Sequence, residues 1–287
     1  MQIRDAGLLG IVQGLTEFLP ISSTAHLVVV RTALGHPHTE DAFTTVIQLG
    51  TLAAVFAYFR SDILAILKAL IGDLRTRRFA AAPASRLAWL IAFGSIPVVV
   101  IGFTLKKWLK SNFYDLPTMG LVAVIFASLM AAAELWRSIR GDRNAPETGE
   151  HDITWLQSLW IGAWQALALM PGASRSGATI TGATFAGLSR PAAARFSFLL
   201  SLPSILGAGL KELYDEYKLV KNPALEDRPS LFDSTDDLVA LAFGMVVSAV
   251  VGYAAIWGLM AFLRRYGLWV FMAYRLVFGM ALLLWAR

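Results

Sequence analysis

The chain contains no cysteine, which excludes disulfides, iron–sulfur clusters and thiolate zinc sites together. Charge is scarce as well: Asp, Glu, Lys and Arg supply 16% of the 287 residues, against 56% apolar residues and a mean hydropathy of +0.59. Ordinary soluble domains carry more charge and less apolar weight, so the composition indicates a polytopic membrane protein in one membrane domain, residues 1–287. Nor is the first apolar segment expected to be a cleavable leader. No basic stretch precedes a clean apolar core, Glu17 and Pro20 interrupt the first apolar segment, and no small-x-small site follows, so that segment is expected to be retained. The net charge of +5 resides in short loops between apolar blocks, the distribution produced by positive-inside topology and anionic lipid headgroups, and not one that calls for nucleic acid.

Six apolar blocks read as spanning helices, at about 43–60, 87–105, 118–136, 196–210, 238–262 and 267–286. Two more apolar regions, about 6–34 and 154–187, are each broken midway by a proline (Pro20, Pro171) followed by small polar residues, and are expected to form re-entrant helical hairpins. Cations crowd three loops: Arg60, Lys68, Arg75, Arg77, Arg78 and Arg86; then Arg137, Arg140 and Arg143; then Arg264 and Arg265. These loops are expected to be cytoplasmic, which puts residues 106–117, the acid-rich stretch 211–237 and both termini outside. Lys106, Lys107 and Lys110 run against that assignment.

The two halves echo each other. The triplet AFG at 92–94 recurs at 242–244, Gly102-Phe103 matches Gly252-Tyr253, FTTVIQLGTLAAV from Phe43 has the cadence of FSFLLSLPSILGA from Phe196, and VQGLTEFLPISST that of WQALALMPGASRS. Pseudo-repeats 1–137 and 150–287 with three spans each must lie upside down relative to one another, an inverted-topology repeat that brings the two broken turns together near mid-membrane. The expected fold is therefore all-α: six transmembrane helices, two re-entrant hairpins and an internal inverted repeat.

Non-helical backbone at membrane depth needs protein or a wet cavity to satisfy it. Helices restarting after Pro20 and after Pro171-Gly172 leave unpaired the amides of Ser23, Thr24 and Ala25 and of Arg175, Ser176 and Gly177, with Ser22 and Ser174 at the two starts. Two helix N-termini facing one point make an anion site, and Arg175 between Ser174 and Ser176 adds a fork suited to phosphate. Gln13 and Glu17 share a helix face, and His26 lies one turn beyond Ser22 and Ser23. A carboxylate in this setting is a functional candidate; beside a phosphate it calls for a divalent cation, Mg²⁺ or Ca²⁺, with Glu17 as ligand. His26 can serve as base, acid or nucleophile, and Ser23 can pair with it for phosphoryl transfer. Gln48 and Gln165 either line the cavity or bridge helices.

The stretches QGLTEFLPISSTAH and PGASRSGATI resemble the two signature regions of the undecaprenyl pyrophosphate phosphatases, the bacitracin-resistance family, and the likeness runs along nearly the whole chain. The resemblance implies hydrolysis of a polyprenyl pyrophosphate to the monophosphate at the outer face of the bacterial plasma membrane, recycling the lipid carrier for cell-wall synthesis, with dependence on a divalent metal. It places the family's acidic element on Gln13 and Glu17, its serine–histidine segment on Ser22, Ser23, Thr24 and His26, and its serine–arginine–serine segment on Ser174, Arg175 and Ser176. Gln13 is the alternative that the family's pattern allows at the first acidic position, and Ala25 stands where a glycine is more usual. The expected partners are the lipid pyrophosphate and the bilayer, with a homodimer admissible. A transporter or lipid flippase is the competing class, because inverted repeats with broken helices are typical of carriers. Outside the site, His36 and His38 read as a solvated loop around Pro37, and Arg275, inside the last span, as one half of a structural pairing.

Overall fold

A computed structural model describes residues 1–35, 42–140, 152–222, 230–232 and 234–285, apart from the side chains of 106, 107 and 110. His36 and His38 lie outside the described residues. Among these residues all regular structure is helical: α1 (Ile3–Phe18), α2 (Ser23–Ala33), α3 (Ala42–Tyr58), α4 (Arg60–Arg75), α5 (Pro83–Gly94), α6 (Ile96–Phe113), α7 (Leu116–Ile139), α8 (Trp155–Leu167), α9 (Arg175–Phe185), α10 (Arg190–Lys221), α11 (Thr235–Leu263) and α12 (Trp269–Trp285). Four runs are long and apolar enough to cross a bilayer: Pro83–Leu105, which bridges α5 and α6, Leu116–Ile139, Arg190–Lys221 and Thr235–Leu263.

The helix starts follow local chemistry. Asp115 caps α7 by accepting from the Thr118 amide at 2.8 Å, Thr154 and Gln157 close a reciprocal capping box on α8, and Ser189 and Ser234 cap α10 and α11. The expected breaks fall at Pro20 and Pro171-Gly172, where α1 stops at Phe18 and α8 at Leu167. Elsewhere the helices differ from the sequence reading. The span expected at 196–210 is a 32-residue helix running to Lys221, well into the stretch read as an acidic loop, because Glu216, fully buried, accepts from the Ser230 hydroxyl at 2.9 Å and the Leu231 amide at 2.8 Å and so folds the following segment back on it. The first expected span is only 17 residues as α3 and continues after a 78° bend into α4, where a cytoplasmic loop was expected. Leu64, Leu67, Ile71 and Leu74 share one exposed face of α4, and this leucine stripe at helical spacing explains why the segment is helical despite its cations.

The α4–α5 corner is closed by a single carboxylate, carried by α4 outside the four runs above. Asp73 accepts from the Ser85 hydroxyl and from the amides of Ala81 at 2.8 Å and Ala82 at 3.2 Å. The Ser85 hydroxyl first, then the Ala82 amide, holds its pKa below the usual carboxylate range. A depressed folded-state pKa contributes stability that is present above the unfolded value and is lost as pH falls through the folded one. Asp73→Asn is therefore expected to melt at lower temperature than the wild type at pH 7, with the gap closing below about pH 4, the range in which the wild-type carboxyl also protonates. Thermal melts in detergent across that range check it.

The helices that carry the site are seated from both ends of the chain. α1 packs against α11 and α3, α8 against α9, α5 and α6, and α12 against α7. The α7–α12 crossing is backbone on backbone: a Cβ on Gly120 would stand 2.7 Å from the Gly279 carbonyl oxygen, and one on Gly279 would stand 2.8 Å from that of Gly120. This close approach brings α12 to the two breaks. The start of α12 is tied to α7 and α10 by the buried Glu134 of α7, which binds Arg190 through two nitrogens and accepts from the Leu268 amide at 3.2 Å.

Candidate active site

Both breaks end on a strained serine. Ser22 has φ 77° and ψ 95°, and Ser174 has φ 68° and ψ 119°. A left-handed φ on a non-glycine residue costs on the order of 1–3 kcal/mol and persists where the surroundings over-determine it. Gly172, at φ 96°, could not carry a side chain, since its Cβ would stand 2.3 Å from the Met119 carbonyl oxygen. After each serine a helix begins at once, so the N-termini of α2 and α9 open onto the space between the turns.

That space is a polar cavity of about 50 Å³ lined by Glu17, Ser22, Ser23, Thr24, Gln48, Ala168, Met170, Gly172, Ser174 and Arg175, large enough for a few waters or one tetrahedral anion. Glu17 is the hub. Its Oε2 accepts from the Ser23 hydroxyl at 2.8 Å and from Gln13 Nε2 at 3.0 Å, while its Oε1 faces Arg175 at 3.6 Å. The Arg175 Nη1 is buried with no hydrogen-bond partner among the described residues, and so is the Oε1 of Gln13. A guanidinium held this way, beside but not hydrogen-bonded to a carboxylate, keeps donors available for an incoming anion.

Of the residues singled out from sequence, Glu17, Ser22, Ser23, Thr24, Gln48, Gly172, Ser174 and Arg175 meet at this cavity. Others stand off it. Ser176 donates to the Leu19 carbonyl at 3.1 Å, joining the second turn to the first. The Gly177 amide, expected to be free, is capped by the Ser174 hydroxyl at 3.1 Å, because Ser174 acts as an ordinary N-cap while Ser22 makes no such bond. Gln165 is buried with neither amide atom partnered among the described residues. His26 is turned away from Ser23: its Nδ1 lies 2.7 Å from the Ser22 carbonyl oxygen, and its Nε2 lies 2.6 Å from the Tyr274 hydroxyl.

A family model described as bacitracin resistance protein BacA matches residues 6–281. The chain belongs to the BacA family. Similar relatives include proteins named undecaprenyl-diphosphatase from Chlorobium chlorochromatii and Chloroherpeton thalassium, each 42% identical over 283 residues, covering 99% of this chain and 96% of the relative. A third, from Chlorobaculum parvum, is 40% identical over 284 residues, covering 99% and 97%.

In this BacA family member one contributor to the site came with an unexpected set of partners. Arg275 of α12 is fully buried, and it pairs with no acid among the described residues; its guanidinium donates to the carbonyls of Gly172 at 2.9 Å, Pro20 at 3.3 Å and Ala123 at 3.4 Å. One side chain thus holds the carbonyl side of both breaks. The sequence signalled a partnered arginine but not these partners, which lie 103, 255 and 152 residues away. Tyr274, next to it, drew no attention in the sequence because a tyrosine in an apolar helix is usually packing.

Proposed function

We propose that this protein cleaves the terminal phosphate of a polyprenyl pyrophosphate at the cavity between its two broken hairpins. The activity is that of an undecaprenyl-diphosphatase, returning the carrier lipid as its monophosphate and so conferring bacitracin resistance. The observation that carries the mechanism is the Ser23–Glu17 hydrogen bond at 2.8 Å. Glu17 takes the proton as Ser23 Oγ attacks the terminal phosphorus; the bond from that phosphorus to the bridging oxygen breaks and the lipid monophosphate leaves with the electron pair. As water attacks the phosphoserine, Glu17 returns to Ser23 Oγ the proton it took in the first step, both protons of the water leave on the dihydrogen phosphate, and Ser23 and the Glu17 carboxylate are restored. Arg175 and the free amides at the starts of α2 and α9 stabilise the charge on the transferring group. His26, with both ring nitrogens engaged elsewhere, does not attack.

A divalent cation, Mg²⁺ or Ca²⁺, fits the donors present. Glu17 brings one carboxylate, and the buried Gln13 Oε1 has no hydrogen-bond partner among the described residues. No cluster of three or more His, Asp or Glu occurs among those residues, so an ion at Glu17 would take its remaining ligands from water and substrate phosphate. Held by Glu17 and Gln13, it would neutralise charge on the pyrophosphate.

The reading includes six spans, re-entrant hairpins and an inverted repeat in a bacterial plasma membrane, with the cavity open to the outer face. In support, a Cβ on Gly10 would meet the Gly244 carbonyl oxygen at 2.6 Å and one on Gly162 that of Gly94 at 2.0 Å, the same contact made by repeat-related pairs. Ser22 and Ser174, also repeat-related, share their strained conformation. The test is direct. Purified protein in detergent is expected to release inorganic phosphate and lipid monophosphate from undecaprenyl pyrophosphate; a carrier that only moves the lipid across the bilayer releases none.

A further inference from the structure

Ser22 carries the strained backbone that turns Ser23 toward Glu17, and its side chain does nothing to hold it there. What grips it is the carbonyl. The Ser22 oxygen receives the Nδ1 of His26 at 2.7 Å, and since a carbonyl can only accept, Nδ1 must carry the hydrogen. In the neutral ring Nε2 is then an acceptor, so the Tyr274 hydroxyl, 2.6 Å away, must donate to it. The imidazole is further fixed by Phe278, whose ring lies parallel to it at 9° with centroids 4.1 Å apart. A hydrogen-bonded chain therefore runs from Tyr274 through His26 to Ser22, and from there along the backbone to Ser23 and Glu17.

We propose that Tyr274 is a positioning residue for the phosphatase reaction: by donating to His26 Nε2 it holds in place the imidazole that clamps the Ser22 carbonyl, and so keeps the Ser23 hydroxyl on the Glu17 carboxylate. Neither residue lines the cavity itself; both act on the nucleophile's orientation. The idea rests on Ser23 being the attacking group. It adds that the one turn lacking a serine cap has its place taken by a histidine and a tyrosine from the far end of the chain. At the other turn Ser174 caps its own helix and no such relay is needed.

The test combines kinetics with a readout independent of turnover. Tyr274→Phe removes one oxygen from a partly exposed ring, and is expected to lower kcat about tenfold, the size of one lost hydrogen bond, with KM within about twofold of wild type. In a His26→Asn background the same change is expected to have no further effect, because the tyrosine acts only through the histidine. Nitrogen-15 spectra of histidine-labelled protein, with His26 assigned by its absence in His26→Asn, should show Nδ1 protonated and Nε2 bare in wild type, and an Nε2 shift in Tyr274→Phe. Full kcat in Tyr274→Phe, an undiminished additional loss on top of His26→Asn, or a wild-type Nε2-protonated ring would each overturn the proposal. The first two leave phosphate release by the wild type untouched. Conversely, a wild type that releases no phosphate would defeat the broader reading while the spectra still report on the tyrosine–histidine pair.

Discussion

Arg175→Ala is expected to lower phosphate release by roughly three to five decades, the range seen when an arginine that meets a transferring phosphoryl group is removed. The geometry gives the reason. Arg175 faces Glu17 at 3.6 Å without a hydrogen bond, and its buried Nη1 is unpartnered among the described residues, so in the proposed reaction the guanidinium would meet the phosphate with donors in hand. Its removal leaves Glu17 with both bonds to Oε2 intact, and the fold should survive. Arg175→Lys should recover only part of the loss, since an ammonium supplies charge but not a planar fork. Steady-state release of inorganic phosphate by both variants, with melting temperatures alongside, decides the matter; near-normal turnover in the alanine variant would remove Arg175 from the chemistry.

Ser23→Ala should be at least as damaging, by roughly three to six decades, because loss of a nucleophile leaves only the binding contributions of the site. The change deletes one oxygen and one of the two hydrogen bonds on Glu17 Oε2, so the cavity keeps its remaining donors. Rapid quenching of wild type with substrate labelled in the terminal phosphate should trap label on Ser23, and the alanine variant should trap none. Label that persists on another residue would exclude the serine and return the histidine to consideration.

Much of this site was legible in one dimension. Pro20 and Pro171-Gly172 are backbone statements, and a proline followed by small polar residues breaks a helix wherever it occurs, so the breaks and the residues beside them could be read directly. What escaped detection was decided by contacts between distant segments. The rule that a carboxylate among apolar residues marks a functional candidate picked out Glu17, yet Glu134 and Glu216 are as deeply buried and tie segments together, Glu134 with Arg190 and Leu268 and Glu216 with Ser230 and Leu231. Nothing local separates the three acids. The helical character of 60–75 was obscured by weighting its cations above its leucine spacing. The orientation of His26 likewise depended on Tyr274, 248 residues away, and helical proximity to Ser23 suggested a pairing that the Ser22 carbonyl pre-empts.

Arg275 has a bearing on motion as well as on shape. A carrier exposes its cargo first to one side and then to the other by tilting one half of the molecule against its mate, and a tilt of that kind would slide Pro20 past Gly172. Here both carbonyls hang on the same guanidinium, deep in apolar surroundings with no acid among the described residues to receive it if either let go. Stripping a charged donor of its acceptors at that depth is severely uphill. Under the proposed reading the side chain is a rivet between the two breaks, opposing such a tilt and suiting a vessel in which a phosphate bond is broken.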